Sequence, residues 1–226
     1  TDWTPQTLQR EFERKPRMIF VLTNSRALSA QETERLHEIL AENISQAAKR
    51  ANRDFLLVSR SDSTLRGHFP LETEILREVL EKKTLRKIDG EILCPFFQEG
   101  GRYTAEDTHY LVEKGKLVPV GETEFAKDLT FGYKSSNLKS WVEEKTHGEY
   151  RAEHVLSITL EQLRSSDSGS ILHTLCSAHD FQKIVVNAIS YQDLAAFVPI
   201  LYEAIEHGKR FILRSAASIL KIMSGC

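Results

Sequence analysis

Short runs of apolar, often β-branched residues alternate along the chain with longer stretches of helical spacing. The apolar runs are RMIFVLT at 17–23, FLLVS at 55–59, EILCP at 91–95, HVLSIT at 154–159, KIVVNA at 183–188 and RFILR at 210–214. Within each run the apolar positions follow one another instead of alternating with polar ones, which is the pattern of a strand covered on both faces. Ser29 opens SAQE, a capping box with Glu32 at the third helical position, and Leu36, Ile39, Leu40 and Ile44 then mark one helical face. Pro70 suits the first turn of the next helix, along which Leu71, Ile75, Leu76 and Val79 line up. Thr159 opens a second capping box, TLEQ. In SYQDLAAFVPILYEAIEHGK, residues 190–209, Leu194, Val198, Leu201 and Ile205 form a stripe, with Pro199 a candidate kink and Gly208 the stop.

This alternation predicts an α/β fold: a doubly wound, mainly parallel sheet with helices on both faces. The interval 104–136 breaks the rhythm. HYLVEKGKLVPVG predicts a hairpin turning at Lys114–Gly115, and the irregular ETEFAKDLTFGYKSS follows it. No internal repeat, low-complexity segment or interdomain linker is visible.

Composition narrows the function classes. With 226 residues the chain can bury a sizeable core, and 41% hydrophobic with 27% charged residues is ordinary for a soluble globular protein. A net charge of −2 gives no reason to expect a nucleic-acid or membrane-surface partner. No apolar run approaches the roughly 18 residues of a membrane span. TDWTPQTLQREF has no signal-peptide layout. Cys94, Cys176 and Cys226 are odd in number and widely spaced, which fits a reducing compartment with Cys94 and Cys176 as small buried hydrophobes. A cytoplasmic protein is expected.

Ligands of open parallel sheets bind outside the carboxyl ends of the strands. Three polar segments fall there: TNSRALS at 23–29, SRSDSTLRGH at 59–68 and PFFQEGGRYT at 95–104. They carry Asn24, Ser25 and Arg26, then Arg60, Asp62, Ser63, Thr64 and Arg66, then Gly100, Gly101, Arg102 and Tyr103. A guanidinium grips a carboxylate or phosphate through paired N–H groups, and a carboxylate accepts from hydroxyls. Glycines let backbone N–H groups approach an anion. The set suits a small, oxygen-rich anion such as a polyhydroxy acid or a phosphorylated metabolite. Plainer roles stand beside these: Asp62, Ser63 and Thr64 tying down a turn, Arg26 in a surface ion pair, Gly100–Gly101 as a tight turn. The chain has no G-x-x-x-x-G-K-[ST], no G-x-G-x-x-G opening a helix, no H-E-x-x-H and no G-x-S-x-G. His68 could reach a phosphate or cap a helix.

SRSDSTLRGH, with TNSRALS, FFQEGGRYT, ETEFAKDLTFGYKSSNLKSWVEEKT and RSAASILK, resembles the four-carbon acid sugar kinases across 1–226. The resemblance implies two α/β domains, the N-terminal one holding the acid sugar and the C-terminal one a glycine-rich ATP site. Together they would use ATP and Mg²⁺ to phosphorylate threonate, erythronate or 3-oxo-tetronate. It implies Asp62 as a catalytic candidate, with Ser63, Thr64 and Arg66 as a substrate-binding signature, Arg26 nearby, and Gly100, Gly101, Arg102 and Tyr103 in a further binding loop. It also implies that 1–226 is a single N-terminal substrate-binding domain, without the family's first strand and acidic loop and without its C-terminal nucleotide-binding domain. The expected partners are a small acid sugar and that second domain, with neither nucleic acid nor membrane; a homodimer stays open. A non-catalytic sensor of sugar acids or phosphates, and an assembly scaffold, are the alternatives.

Overall fold

The computed structural model describes residues 3–165 and 168–225. The chain divides into two compact units, Thr1–Leu57 with His68–Lys87, and Val58–Gly67 with Ile88–Cys226.

The first unit is helical. Helix α1 (Pro5–Glu13) is capped by Thr4, which accepts from the Thr7 amide, and Phe12 packs near Phe55 with ring centroids 6.0 Å apart. Ser29 and Glu32 form the expected capping box at the start of α2 (Ala30–Arg50). The buried face of α2 runs through Thr33, His37, Leu40, Ala41 and Ala47, whereas Ile39 is half exposed. Helix α3 (Leu71–Thr84) buries Ile75, Leu76 and Leu80, together with Glu72. The run at 17–23 is not a strand. Phe20 and Leu22 are 75% and 70% exposed there, and no strand pairs with the segment among the described residues. Apolar composition supplies a strand's side chains but not the neighbour whose N–H and C=O groups make it one.

The second unit holds the sheet. After β1 (Leu57–Arg60) and β2 (Gly90–Cys94) come three hairpin strands, β3 (Arg102–Ala105), β4 (Thr108–Glu113) and β5 (Lys116–Pro119). Helix α4 (Leu138–Lys145) and β6 (Leu156–Ile158) follow, then α5 (Leu160–Arg164), α6 (Gly169–Ser177), β7 (Gln182–Val186), α7 (Tyr191–Glu206), β8 (Phe211–Ser215) and α8 (Ala217–Ser224). The main sheet has the order β1-β8-β2-β7-β6, with β2 parallel to both β7 and β8, and β6 parallel to β7. The antiparallel sheet β3-β4-β5 is the hairpin insertion. Its two-residue turn places Lys114 and Gly115 at φ 49° and 75°, as a tight hairpin with matching twist requires. The mostly parallel α/β fold with a small added sheet is therefore as expected. Thr159 and Ser190 form capping boxes with Gln162 and Asp193, and α7 continues through Pro199 without a break.

Cys94 is buried in β2, and burial pushes its thiol up to about 12. Cys176 is only half buried, contrary to expectation, on α6 with Sγ 3.9 Å from His207 Nδ1. Cys226 lies outside the described residues. Among the described residues, no helix is long and apolar enough to cross a membrane.

Within the apolar centre, Glu91 and Lys183 are Cα partners on β2 and β7, and Lys183 Nζ donates to Glu91 Oε2 at 2.6 Å with both side chains fully buried. The ammonium also lies 4.1 Å and 3.9 Å from the ring centroids of Tyr150 and Phe181. Breaking a buried pair from one side leaves an uncompensated charge, whereas replacing both ions avoids that cost. Lys183→Met should lower unfolding free energy by about 3–5 kcal/mol, and Lys183→Met with Glu91→Leu should recover most of it. Urea denaturation of the two variants checks this; equal losses would contradict it.

Candidate functional site

The carboxyl ends of β1, β8 and β2 lie side by side. Ser61 N donates to the Ser215 carbonyl at 2.9 Å, and Ala216 N to the Cys94 carbonyl at 3.1 Å. The chain leaving β1 turns sharply over 62–67. Leu65 N donates to the Asp62 carbonyl at 3.1 Å, and Leu65 takes φ 64° and Gly67 φ 124°. The positive φ suits Gly67; for Leu65 it costs about 1–2 kcal/mol, which burial of its side chain offsets.

Asp62 organises this turn. Its Oδ2 accepts from the Thr64 hydroxyl at 2.7 Å and from Arg66 Nε at 2.8 Å, and its Oδ1 accepts from Thr64 N at 3.4 Å. Burial pushes the Asp62 carboxyl up, but the Thr64 hydroxyl and the Arg66 guanidinium together outweigh it and hold the group below its usual value. Asp62 is thus a fixed anion, well suited to accept hydrogen bonds from hydroxyls and poorly suited to take up a proton near neutral pH.

Arg66 is held on several sides. Besides Asp62, its Nε donates to Thr64 Oγ1 at 3.1 Å, and its guanidinium lies 4.8 Å from the Phe125 ring centroid. Nη1 is 3.7 Å from Asp128 Oδ2, longer than a hydrogen bond, and Nη2 has no hydrogen-bond partner among the described residues. The outer edge of the fork can therefore still receive an oxyanion. Asp128 is itself oriented by the Thr130 and Phe131 amides, which donate to its Oδ1 at 2.9 Å and 3.0 Å.

The irregular stretch after the hairpin packs onto this turn. Tyr133 donates its hydroxyl to the Thr64 carbonyl at 2.7 Å, and burial followed by the Asp62 charge pushes its phenol up. From the hairpin, fully buried His109 bridges Ser63 and Thr104. The Ser63 carbonyl can only accept, so His109 Nε2 carries the proton at 2.8 Å and Nδ1 accepts from the Thr104 hydroxyl at 2.9 Å. Burial, with the Arg102 charge adding to it, lowers His109 to about 4.

A narrow cavity of about 10 Å³ beside Asp62 is lined by Ser61, Leu65, Leu93, Trp141 and Arg214, and is large enough for about one water. Arg214 is buried at the carboxyl end of β8, 6.0 Å from the Trp141 ring centroid. Lys145 donates to the Gly132 carbonyl at 3.2 Å; burial, with the Arg214 charge adding, outweighs Glu144 and keeps its amine below the usual value. Three cations, Arg66, Lys145 and Arg214, thus belong to one end of this unit.

The expected site residues are distributed unevenly. Asp62, Ser63, Thr64 and Arg66 share one turn. Gly100 and Gly101 (φ 69°) make a tight turn into β3, with Gly101 N donating to the Gln98 carbonyl at 2.9 Å and Arg102 folding back onto the Gly100 carbonyl. Tyr103 packs near Phe96, with ring centroids 6.0 Å apart. This second loop is tied to the first through β3, Thr104 and His109. Arg26 belongs to the first unit, exposed in a short 3-10 turn whose Ser25 hydroxyl donates to Glu72 at 2.6 Å. His68 also lies in that unit, its Nε2 2.9 Å from the Leu28 carbonyl. Sequence reasoning missed Asp128, Tyr133, His109 and Arg214. Arg214 had a signal as the charged end of an apolar run, and Asp128 and Tyr133 lie in a segment that carries the family resemblance, but none was assigned a role.

The second unit is an α/β domain with a cation-rich cluster at the carboxyl ends of its strands, where open parallel sheets place their ligands. The chain belongs to the family described as the sugar-binding N-terminal domain, which matches residues 3–223. Its fold is that of DUF1537 proteins, the four-carbon acid sugar kinase family resembled in sequence. A Bordetella bronchiseptica DUF1537 protein, crystallised as a domain-swapped dimer with bound citrate, is 19% identical over 90% of this chain and 44% of its own, with a TM-score of 0.65. A Haemophilus influenzae protein of the same family is 12% identical over 88% of this chain and 43% of its own, with a TM-score of 0.63. The chain thus spans less than half the length of either. None of the curated proteins matches it.

His109 is protonated more readily in the unfolded chain than in the folded one, so its contribution is present above about 6.5 and is lost as pH falls through about 4. In thermal or urea unfolding, wild type should lose up to about 1.4 kcal/mol per pH unit from this group between those limits. His109→Gln should be less stable at neutral pH and show a flatter profile in that window. Parallel profiles would show that His109 is not the group responsible.

Proposed function

We propose that this chain is the acid-sugar-binding domain of an ATP-dependent kinase acting on four-carbon sugar acids of the threonate, erythronate or 3-oxo-tetronate type. The observation that carries the reading is the guanidinium of Arg66, immobilised by Asp62, Thr64 and Phe125 with its Nη2 edge unengaged. A guanidinium held in this way is pre-organised to grip a carboxylate, so little of its freedom is lost on binding. Membership of a sugar-binding family supports the class of ligand, and the citrate in the Bordetella relative belongs to the same class of hydroxylated organic acids.

In this reading Arg66 takes the acid head, with Lys145 and Arg214 adding positive potential, and Asp62 accepts hydrogen bonds from the sugar hydroxyls. Ser63 and Thr64 shape the turn, and Gly100, Gly101, Arg102 and Tyr103 form the neighbouring loop. Arg26 is assigned to the acid sugar by resemblance alone. Orientation of the acceptor hydroxyl is the contribution such a domain makes to phosphoryl transfer. Among the described residues no group of three or more His, Cys, Asp or Glu could hold a metal ion, and the sequence has no phosphate-binding glycine loop. ATP and Mg²⁺ are assigned in this reading to a second, nucleotide-binding domain.

Calorimetric titration with threonate, erythronate and a neutral tetritol tests the reading. The acids should bind and the tetritol should not. Arg66→Lys should weaken acid binding about tenfold or more while the chain stays folded by circular dichroism. Equal binding by Arg66→Lys and wild type, or no binding of any four-carbon acid, would remove the assignment.

A further inference from the structure

A second, larger cleft lies in the same unit but at the opposite end of the sheet. Its volume is about 370 Å³, within the size range of small-molecule sites, against about 10 Å³ beside Asp62. It is lined by Tyr150, Arg151, Val155, His179 and Lys183, with Asp180 its one carboxylate. These residues precede or begin β6 and β7, so the cleft opens at the amino ends of the strands, whereas Asp62 follows the carboxyl end of β1.

The cleft has a rigid inner wall. Lys183 is 1% exposed, fixed by Glu91 behind it and sandwiched between the Tyr150 and Phe181 rings. Tyr150 is anchored through its amide, which donates to Thr146 Oγ1 at 3.2 Å. Gln182 Nε2 donates to the His154 carbonyl at 3.1 Å and so ties the start of β7 to the segment entering β6. The rim, by contrast, is exposed and rich in donors. Arg151 has only a loose, exposed pairing with Glu153, Nη1 to Oε1 at 3.9 Å, and the His154 imidazole is 3.6 Å from the same carboxylate. Such exposed pairs contribute little, so the Arg151 fork is readily given up to a better partner. His179 donates from Nδ1 to the Ser177 carbonyl at 3.0 Å, which fixes its ring.

From this arrangement we infer a second ligand site that takes a small molecule with a flat or apolar body and a single oxyanion head. The body would lie on the wall made by Tyr150 and Val155, and the head would meet Arg151 at the rim. The carboxylate of an organic acid and the phosphate of a phosphate ester offer the same head. The site is independent of the reading of Asp62 and Arg66, since it shares no residue with them.

Titration of the ¹⁵N-labelled chain with benzoate and with phenyl phosphate, followed by amide NMR, tests the inference and separates the two sources. Saturable shifts are expected at 150–155 and 179–183, with the stronger probe identifying the head group. Arg151→Gln should weaken that binding about tenfold, while Asp62→Asn leaves it unchanged. Arg151 is exposed, so its replacement leaves the fold intact, as the unperturbed part of the spectrum would verify. The inference is overturned if neither probe gives saturable shifts there, if the shifts fall at 59–67 instead, or if Arg151→Gln binds as wild type does.

Discussion

A carboxylate that leaves water must be met by donors and cations, and Asp62 is where this chain meets that requirement. Everything at the carboxyl edge of the sheet follows from it. The Thr64 hydroxyl and Arg66 Nε converge on one oxygen, which closes the turn and pins the arginine. The pinned guanidinium then needs a surface on its face and a counter-charge on its edge, and Phe125 and Asp128 supply them. The turn's own carbonyls, at Ser63 and Thr64, are taken by His109 and Tyr133. One partly buried charge thus recruits residues from the hairpin and from the irregular segment behind it.

The same rule explains the rest of the sheet. Glu91 and Lys183 cross-link β2 and β7 at their amino ends, and Arg214 is buried at the carboxyl end of β8. Each is a charged residue in a strand that is otherwise mostly apolar. Each is tolerated because partners stand beside it: a carboxylate and two rings for Lys183, the Trp141 ring for Arg214. The two ends of the sheet therefore carry different electrostatics. One presents a fixed cluster of cations around an anion, and the other a sealed ion pair with a donor-rich rim.

Much of the architecture was legible because it rests on local rules. Capping boxes at Ser29 and Thr159 formed as written, since they involve groups three residues apart. The Lys114–Gly115 turn was legible because a glycine, which takes positive φ at no steric cost, lies in a short polar break between two apolar runs. Strands β2, β7 and β8 followed from unbroken apolar runs. The run at 17–23 obeyed the same composition rule and formed no strand, because pairing is a property of two segments and composition describes one. Ile39 was misplaced for a related reason: which side of a helical stripe is buried depends on what packs against it.

Residue order alone determined the α/β class, the hairpin, the family resemblance and the clustering of Asp62, Ser63, Thr64 and Arg66, which are neighbours in any conformation. Only the tertiary structure decided that the Arg66 fork is half engaged, that ETEFAKDLTFGYKSS folds over the turn, that His109 is held neutral, and that a cleft opens beside Lys183. Those outcomes depend on contacts between residues dozens of positions apart, such as Tyr133 with Thr64 and Lys183 with Glu91. No local propensity encodes them, because burial and hydrogen-bond satisfaction are decided by the packed whole.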